Sequence, residues 1–334
     1  MEATNSTFGK FSAGGVDVSI DEVAQIAKKA GDAIMKVYTE TPLDNWASIA
    51  KSKGDGSPLT IADKAANDII CKELAAKYPF PIMSEENAMT SFAERSAWKY
   101  YWCVDPLDGT KEFIKRNGQF TVNIGLVEGS TPIAGVVYVP ATAVMYKGVK
   151  GLGPPVRETD DPLGYDSYKS IFCARFEETD PNLKIVASAS HNTPETEQFI
   201  AKYTTPSLQS YGSSLKLLMV AEGRAHVYPR LAPTMEWDTC AAHAIVECAG
   251  GEVLQFPGTY DGHPGDLDEG KPLRYNKKDV HNPFFVVYGK REAKTTRPKK
   301  DVDLTGGGTT KIATKIIVVI VAGAAAFFAF CNAV

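Results

Sequence analysis

Two acidic residues flank a turn in the stretch Trp102-Cys-Val-Asp-Pro-Leu-Asp-Gly-Thr-Lys-Glu-Phe113, and the rest of the chain can be arranged around it. The apolar run at its start predicts a strand that ends at Asp105. Pro106 and Gly109 then favour a turn, which lets Asp105 and Asp108 converge while the following main-chain amides stay free to face an anion. The pattern predicts cations that hold a phosphate, although Asp and Gly are also ordinary turn residues.

The composition is that of an ordinary globular protein with a small negative charge. The chain has 334 residues, of which 23% are charged and 44% are hydrophobic, and its formal net charge is −4. This length allows a large buried core divided between two domains or lobes. The charge gives no support for binding long nucleic acid, so a nucleotide partner would be small and would bind in a local pocket.

The cysteines and histidines form no metal-binding pattern. No Cys-x-x-Cys pair occurs, and the histidines form no cluster of the kind that binds a metal. We therefore expect the cysteines to be reduced thiols in the core of a cytosolic protein. They are Cys71, Cys103, Cys173, Cys240, Cys248 and Cys331.

Further acidic residues stand where predicted strands and helices begin or end. Glu85 follows a short predicted strand, Asp63 falls in the first turn of a predicted helix, and Asp238 opens another helix as its N-cap. Each has an ordinary explanation, since acids at strand ends are usually solvated and an Asp at a helix start is stabilised by the helix dipole. Together they predict a crevice whose carboxylate oxygens bind a hard cation such as Mg²⁺.

A second anion site is predicted at Gly212-Ser-Ser-Leu-Lys216, where small residues open a partly buried helix. Free backbone amides at a helix start attract a phosphate. Lys216 lies in the first turn of that helix, where it could contact the anion. A solvated surface lysine is the alternative interpretation.

Changes in composition divide the chain into five segments. Residues 1–15 are small, polar and rich in glycine, which predicts a disordered leader without a secretory signal. Residues 16–168 are predicted to form an N-terminal α/β lobe with the metal site, and residues 169–289 a C-terminal α/β lobe that completes it. Residues 290–311 are predicted to form a basic, glycine-containing linker. Residues 312–334 end in 19 uncharged residues, close to the roughly 20 that a membrane-spanning helix needs.

The tail predicts where the protein is located. We expect a single-pass C-terminal tail anchor with the globular part facing the cytosol, because the linker is basic and positive residues favour the cytosolic side. The membrane is thus a predicted partner through the tail. The sequence leaves open which membrane is involved and what the oligomeric state is.

Three motifs resemble those of the magnesium-dependent, lithium-sensitive phosphatases that include inositol monophosphatase: Ser84-Glu-Glu86, Asp105-Pro-Leu-Asp-Gly-Thr110 and Trp237-Asp-Thr239. One longer run, residues 105–124, is similar specifically to the CysQ-type 3′(2′),5′-bisphosphate nucleotidases of the inositol monophosphatase superfamily, and so are the short motifs Gly212-Ser-Ser-Leu-Lys216 and Tyr228-Pro-Arg230. The resemblance covers about residues 16–288. Residues 151–155 depart from it, because the family usually has Gly-x-Gly-Ala followed by an aromatic residue.

The resemblance implies an α/β (α+β) fold, a layered αβαβα sandwich with the site between two lobes, and two to three Mg²⁺ ions. Glu85, Asp105 and the main-chain oxygen of Leu107 would hold the first ion. Asp105, Asp108 and Asp238 would hold the second, and a third, weaker ion would lie near Glu85. With the predicted tail, the complete expected fold is this sandwich plus a C-terminal transmembrane helix.

The resemblance also implies how the attacking water and the substrate are held. Thr110, hydrogen-bonded to Asp63, would orient the water and help to deprotonate it, without a covalent phosphoenzyme. The backbone amides of Gly109 and Thr110 would bind the phosphate that is transferred. The other residues expected to bind substrate are Gly212, Ser213, Lys216 and Arg230.

The implied reaction removes the 3′-phosphate of adenosine 3′,5′-bisphosphate to give AMP, with 3′-phosphoadenylyl sulfate as a further candidate substrate. One alternative is an inositol or inositol polyphosphate phosphatase. Lys111-Glu-Phe113 argues against it, because the inositol enzymes usually have Thr-Asn-Phe after the turn. A second alternative is a membrane-tethered protein that binds phosphates without hydrolysing them. The presence of all the expected metal ligands and water-orienting residues favours hydrolysis.

Overall fold

Helices and strands alternate along the chain and gather into two main sheets. The computed structural model describes residues 8–41, 50–52, 58–159, 168–188, 193–258 and 269–292, with side chains for all of these except 50–52 and 58–60. In chain order the strands are β1 (Lys10–Ala13), β2 (Val16–Ser19), β3 (Ala50–Ser52), β4 (Pro58–Thr60), β5 (Ile82–Ser84), β6 (Tyr100–Asp108), β7 (Thr121–Glu128), β8 (Thr131–Val139), β9 (Val144–Val149), β10 (Val156–Thr159), β11 (Tyr168–Ser170), β12 (Arg175–Phe176), β13 (Lys184–Ser188), β14 (Ser207–Tyr211), β15 (Val227–Arg230), β16 (Glu252–Gln255), β17 (Phe285–Tyr288) and β18 (Lys290–Arg291). The helices are α1 (Ile20–Glu40), α2 (Ile61–Lys77), α3 (Phe92–Arg95), α4 (Thr110–Ile114), α5 (Pro194–Ile200), α6 (Leu215–Ala221) and α7 (Glu236–Cys248).

The larger sheet has seven strands in the order β11-β10-β9-β8-β7-β6-β5. Its neighbours pair antiparallel, except that β5 and β6 are parallel. The register shifts between Asp105 and Asp108 of β6, where the regular ladder to β7 is interrupted. An irregularity of this kind re-aims side chains at a strand end, and here it lies where the two acids of the quoted stretch stand.

The smaller sheet has five strands in the order β14-β13-β15-β17-β16. Strands β14, β13 and β15 run parallel, whereas β17 is antiparallel to both β15 and β16. The carboxyl end of β15 carries Arg230, and β14 ends just before Gly212. The sheet therefore delivers two of the predicted substrate-binding positions to strand ends.

Three apolar clusters define the layers. The first packs α1 and α2, with Ile70, against the face of the seven-stranded sheet that carries Trp102. The second fills the space between the opposite face, which carries Tyr101, and the smaller sheet; it includes α6 and α7, with Ile245. The third joins the far face of the smaller sheet to α5, with Phe199. Because successive strand residues face opposite sides, one sheet supports two layers, which supports the predicted αβαβα order.

All described residues belong to one compact unit. The predicted boundary between the lobes at residues 168 and 169 falls inside β11, the last strand of the larger sheet. The division into two lobes stays a prediction.

The chain enters the fold earlier than the predicted leader allows. Strand β1 lies within residues 1–15, pairs antiparallel with β2 and buries Ala13. Gly14 and Gly15 form the connection with φ values of +59° and +82°, which other residues rarely adopt. The short strand buries one small side chain, so its apolar pattern was too weak to read from the sequence. Residues 1–7 lie outside the described part of the chain.

Among the described residues, no helix is long and apolar enough to cross a membrane. The longest of them, α1, has 21 residues, but its first turn carries Asp21 and Glu22 and only one of its faces is apolar. A spanning helix must be apolar on all sides. The predicted transmembrane helix at 312–334 lies outside the described residues, as does most of the predicted linker. No described element supports the predicted transmembrane helix, and the predicted membrane location and membrane partner depend on it. We therefore withdraw these three predictions.

Candidate active site

Asp105 lies buried at the irregular end of β6. Its side chain is 1% exposed, and its Oδ1 accepts a hydrogen bond from the backbone N–H of Leu107 at 3.1 Å. This bond holds the turn in the way that an Asp side chain often does two residues before an amide. Burial raises the pKa of Asp105 well above its usual value, and nearby carboxylates raise it further, namely those of Glu85, Asp108, Asp238 and Asp63.

These charge interactions show that the structure brings together acids from four separate elements. Glu85 follows the last residue of β5, and its N–H donates to the carbonyl oxygen of Val104 in the neighbouring strand at 3.1 Å. Asp63 lies in the first turn of α2 and is 1% exposed. Asp238 lies in the first turn of α7. The parallel pairing of β5 with β6 places Glu85 beside the end of β6, where Asp105 stands.

Asp108 links the larger sheet to the start of α6. Its Oδ2 accepts a hydrogen bond from the backbone N–H of Ser214, and Thr121 and Asn123 of β7 donate to the same oxygen at 3.5 Å. The Ser214 hydroxyl donates to Oδ1 of Asn123 at 2.9 Å. Burial raises the pKa of Asp108 to about 6, although Lys216 and the Ser214 N–H lower it. Sequence reasoning missed Ser214, Thr121 and Asn123, yet all three lie in the motifs that carry the family resemblance.

Asp238 is not the N-cap of α7, so that prediction was wrong. The N-cap is Met235, and Oδ2 of Asp238 accepts a hydrogen bond from the Met235 N–H at 2.9 Å. An acid three residues into a helix can reach back in this way to satisfy the N-cap amide. Burial raises the pKa of Asp238 to about 8, with the charges of Asp108 and Glu85 as the next causes.

The donor set fits a magnesium ion in its chemistry. The converging groups are carboxylates, the hard oxygen ligands that Mg²⁺ prefers, and their mutual repulsion would be offset by a cation. In the ranges that the structure describes, no three acidic, histidine or cysteine side chains already stand at the spacing of a complete metal site. The assignment of individual ligands therefore stays a prediction, which the burial and the charge of the acids support.

The predicted water-orienting pair is close to these acids. Asp63 is one of the charges that act on Asp105. The Thr110 hydroxyl donates to the carbonyl oxygen of Leu107, the predicted main-chain metal ligand, at 3.4 Å. The hydrogen bond between Thr110 and Asp63 that the family resemblance implies stays a prediction.

Gly109 occupies a position that no other residue fits. It is the N-cap of α4, with a φ of +93°. A Cβ atom here would lie 2.9 Å from the carbonyl oxygen of Gln119 and 3.3 Å from the Cβ of Ser213. The missing side chain lets the turn after Asp108 pack directly against the start of α6, which joins the two predicted phosphate-binding segments.

A cavity of about 110 Å³ opens at this junction. The turn after β6, the starts of α6 and α7, and β15 all contribute to its lining. Gly212 allows the start of α6 to pack closely against α4, because a Cβ there would lie 2.6 Å from Glu112 Cγ. Residues that line the cavity include Asp108, Gly109, Ser213, Lys216, Arg230 and Asp238.

Lys216 is buried in the wall of this cavity, so the alternative of a solvated lysine is wrong. Lys216 is only 5% exposed, and its Nζ donates to the carbonyl oxygen of Ser213 at 2.6 Å. Burial and the charge of Arg230 lower the pKa of Lys216 to about 8. The Nε of Arg230 is itself buried without a hydrogen-bond partner among the described residues. Two neighbouring cations with unused donors suit an anionic ligand.

The fold and the acidic site define the class of the protein. Residues 18–288 match the model of the inositol monophosphatase family, and the chain belongs to this family. Within it, the chain is similar to the 3′(2′),5′-bisphosphate nucleotidase CysQ of Escherichia coli (strain K12). The two are 41% identical over 271 residues, which make up 80% of this chain and 98% of that protein.

Solved structures agree with this classification. The CysQ structure from Bacteroides thetaiotaomicron is 43% identical, covers 81% of this chain and 97% of its own, and superposes with a TM-score of 0.66. An inositol monophosphatase from Thermotoga maritima is 21% identical, covers 80% of this chain and 91% of its own, and has a TM-score of 0.61. At that lower identity the likeness shows the fold alone.

Proposed function

We propose that this protein removes the 3′-phosphate from adenosine 3′,5′-bisphosphate and leaves AMP, with 3′-phosphoadenylyl sulfate as a second substrate. The protein is a magnesium-dependent phosphatase of the 3′(2′),5′-bisphosphate nucleotidase kind, since relatives of that name are 41% identical over 80% of its length. One observation carries the substrate assignment. Lys216, which is buried, and Arg230 line the same cavity as Asp108 and Asp238, so positive groups for a second phosphate lie beside the predicted metal ligands.

Two to three Mg²⁺ ions would be held by the converging acids. Glu85, Asp105 and the carbonyl oxygen of Leu107 would hold one ion, and Asp105, Asp108 and Asp238 a second, with a third and weaker site near Glu85. Bound magnesium supplies positive charge to the phosphoryl oxygens and lowers the pKa of a bound water. The raised pKa values of Asp105 and Asp238 support this assignment, because burial and then the neighbouring carboxylates disfavour their ionised forms, and a bound cation would offset both effects.

The protein would hold the reacting groups in line. Asp63 and Thr110 would orient the attacking water and take up its proton, because the charge of Asp63 acts on Asp105 and Thr110 begins α4 directly after Asp108 and Gly109. The first backbone amides of α4, at Gly109 and Thr110, have no partner within the helix and can bind the oxygens of the departing phosphate. Positioning and charge neutralisation of this kind account for most of the catalysis in phosphoryl transfer.

The phosphate that remains on the product would bind at Lys216 and Arg230. Lys216 provides a buried positive charge, and the Arg230 guanidinium offers donors that can bond two phosphate oxygens. Gly212 and Ser213 give close approach to the backbone at the start of α6. A substrate with a single phosphate lacks the group that these residues bind, which supports a bisphosphate over an inositol monophosphate.

A substrate panel tests the proposed function. With Mg²⁺, we expect kcat/KM for adenosine 3′,5′-bisphosphate to exceed that for inositol monophosphate by at least about a hundredfold. The second phosphate adds charged hydrogen bonds to Lys216 and Arg230, each worth roughly 1.5–3 kcal/mol. Phosphate release from each substrate is measured with Mg²⁺ and again after chelation with EDTA. Preference for an inositol phosphate would contradict the substrate assignment, and metal-independent turnover would contradict the proposed mechanism.

The lowered pKa of Lys216 predicts a pH effect that depends on the substrate. Lys216 is charged below about pH 8 and loses its proton above it, so its attraction for a phosphate fades as the pH rises. We expect kcat/KM for adenosine 3′,5′-bisphosphate to fall by about tenfold between pH 8 and 9.5, relative to that for adenosine 3′-monophosphate. The monophosphate lacks the 5′ group and reports all other pH effects. Parallel pH profiles for the two substrates would show that Lys216 does not bind the 5′-phosphate.

A further inference from the structure

Glu236 is a fully buried carboxylate at the first position of α7, two residues before Asp238. It is 0% exposed, whereas a glutamate is almost never completely buried unless it is paired. It does not line the cavity and has no place among the predicted metal ligands. Its burial therefore calls for an explanation separate from the chemistry of the site.

Three donors from one loop satisfy this carboxylate. The Oε2 of Glu236 accepts from the backbone N–H of Asn276 at 2.7 Å. Its Oε1 accepts from the backbone N–H of Lys277 at 2.9 Å and from the Lys277 Nζ at 2.7 Å. Two backbone amides and one ammonium group fix both oxygens, so the carboxylate cannot rotate without losing a bond.

The loop that provides these donors is itself held from the other side. Arg95 is 2% exposed; its NH1 donates to Oδ1 of Asn276 at 2.9 Å and its NH2 to the carbonyl oxygen of Lys278 at 3.0 Å. The Asn276 Nδ2 donates back to the carbonyl oxygen of Arg95 at 2.7 Å. Glu236 is therefore bound to a loop that Arg95, the last residue of α3, holds in place.

The same loop also reaches the N-cap of α7. The Lys277 Nζ donates to Oδ1 of Asn282 at 3.3 Å, and the Asn282 Nδ2 donates to the carbonyl oxygen of Met235 at 2.7 Å. Met235 is the residue whose N–H bonds the side chain of Asp238. A continuous set of hydrogen bonds thus connects Glu236 and Lys277 with the carboxylate that faces the cavity.

We propose that Glu236, through Lys277 and the Asn276 backbone, is a positioning residue that fixes the rotation of α7 so that Asp238 can bind a divalent cation. An apolar pair of similar volume would pack α7 at least as stably, since burying an ion pair is costly. It would not fix the angle of the helix about its own axis, which hydrogen bonds do. The inference rests on the proposed function, because it takes Asp238 as a metal ligand.

Direct binding of Mn²⁺ to the full chain tests this role without relying on turnover. By isothermal titration calorimetry without substrate, we expect Glu236→Gln to raise the Mn²⁺ dissociation constant about tenfold, because the amide keeps the volume of the side chain but loses the ion pair. At saturating Mn²⁺, the KM for adenosine 3′,5′-bisphosphate should stay within about twofold of wild type, since Lys216 and Arg230, which would bind the retained phosphate, lie on α6 and β15.

A matched control separates positioning from stability. Lys147 is also buried, with a side chain 4% exposed, and it pairs with Asp21 and Glu158 away from the acids. Lys147→Met should lower the thermal midpoint but leave the Mn²⁺ dissociation constant within about twofold of wild type. Should Glu236→Gln not fold, Lys277→Met keeps both backbone donors and should still weaken Mn²⁺ binding severalfold.

The outcomes separate the inference from the proposed function. Wild-type Mn²⁺ affinity in folded Glu236→Gln or in Lys277→Met overturns the positioning role and leaves the function intact. Equal weakening in Lys147→Met also overturns it, because the effect would then come from general destabilisation. If the wild-type chain neither binds Mn²⁺ nor releases phosphate, the proposed function fails and the inference fails with it.

Discussion

Asp105→Asn is expected to abolish Mg²⁺-dependent turnover, lowering kcat/KM by at least about a thousandfold. The charges of Glu85, Asp108, Asp238 and Asp63 all act on Asp105, and Asp105 is the predicted shared ligand of both main ions, so its loss affects both. The amide oxygen can still accept the backbone hydrogen bond from Leu107, and the fold is therefore retained. Steady-state kinetics with a Mg²⁺ titration measures the effect.

The same substitution should stabilise the metal-free protein. The pKa of Asp105 is raised in the folded state, so the folded protein disfavours the ionised carboxylate; above both pKa values, this lowers the free energy of unfolding. A neutral amide removes that cost, and at pH 8 in EDTA we expect a gain of about 1 kcal/mol in urea unfolding. Asp17→Asn, at an exposed position of β2, is the control and should change neither property. Wild-type activity in Asp105→Asn would exclude it as a metal ligand.

Gly109→Ala is expected to lower both activity and stability. The residue has a φ of +93°, and the added Cβ would lie 2.9 Å from the Gln119 carbonyl oxygen, so the backbone must shift. We expect a loss of about 1–3 kcal/mol in the free energy of unfolding and a fall of at least about a hundredfold in kcat/KM, because the amides that hold the phosphate move. Denaturant unfolding and phosphate-release kinetics measure the two effects.

Gly129→Ala provides a matched control for this substitution. Gly129 also has a positive φ, +59°, but no atom lies within 4 Å of its added Cβ, and it occupies the turn between β7 and β8. It should cost about 1 kcal/mol of stability through its backbone conformation, with unchanged kcat/KM. If both variants lose activity to the same extent, the position of Gly109 beside the phosphate is not what matters.

Much of the site could be predicted because its chemistry is local in sequence. The turn after β6 carries two acids, the glycine and the helix start within a few residues, and periodic apolar residues indicated the helices and strands on both sides. Asp63, Glu85 and Asp238 were recognised from their places at element ends and from the family resemblance. Their convergence is a property of the sheet order, above all of the parallel pair β5 and β6, which no short stretch reveals.

Other features depend on contacts between distant residues and could not be predicted from the sequence. The N-cap of α7 is Met235, a poor capping residue, and the Asp238 side chain accepts the hydrogen bond from the Met235 N–H, as the N3 residue of a capping box does. Nothing in the sequence distinguishes Glu236 from any acid in a first helical turn, and only its bonds to the loop at Asn276 and Lys277 do so. The membrane prediction relied on composition alone, and no described helix supports it.

The assembly of the acids from residues 63 to 238 has a consequence for how the protein reaches its native state. The pairing that unites them is non-local, and such topologies fold slowly because long chain segments must be ordered before they gain contacts. No early intermediate that lacks α7 can present the full set of ligands. If these acids bind cations as proposed, binding favours only the completed molecule, and by mass action a higher free Mg²⁺ concentration raises the folded fraction.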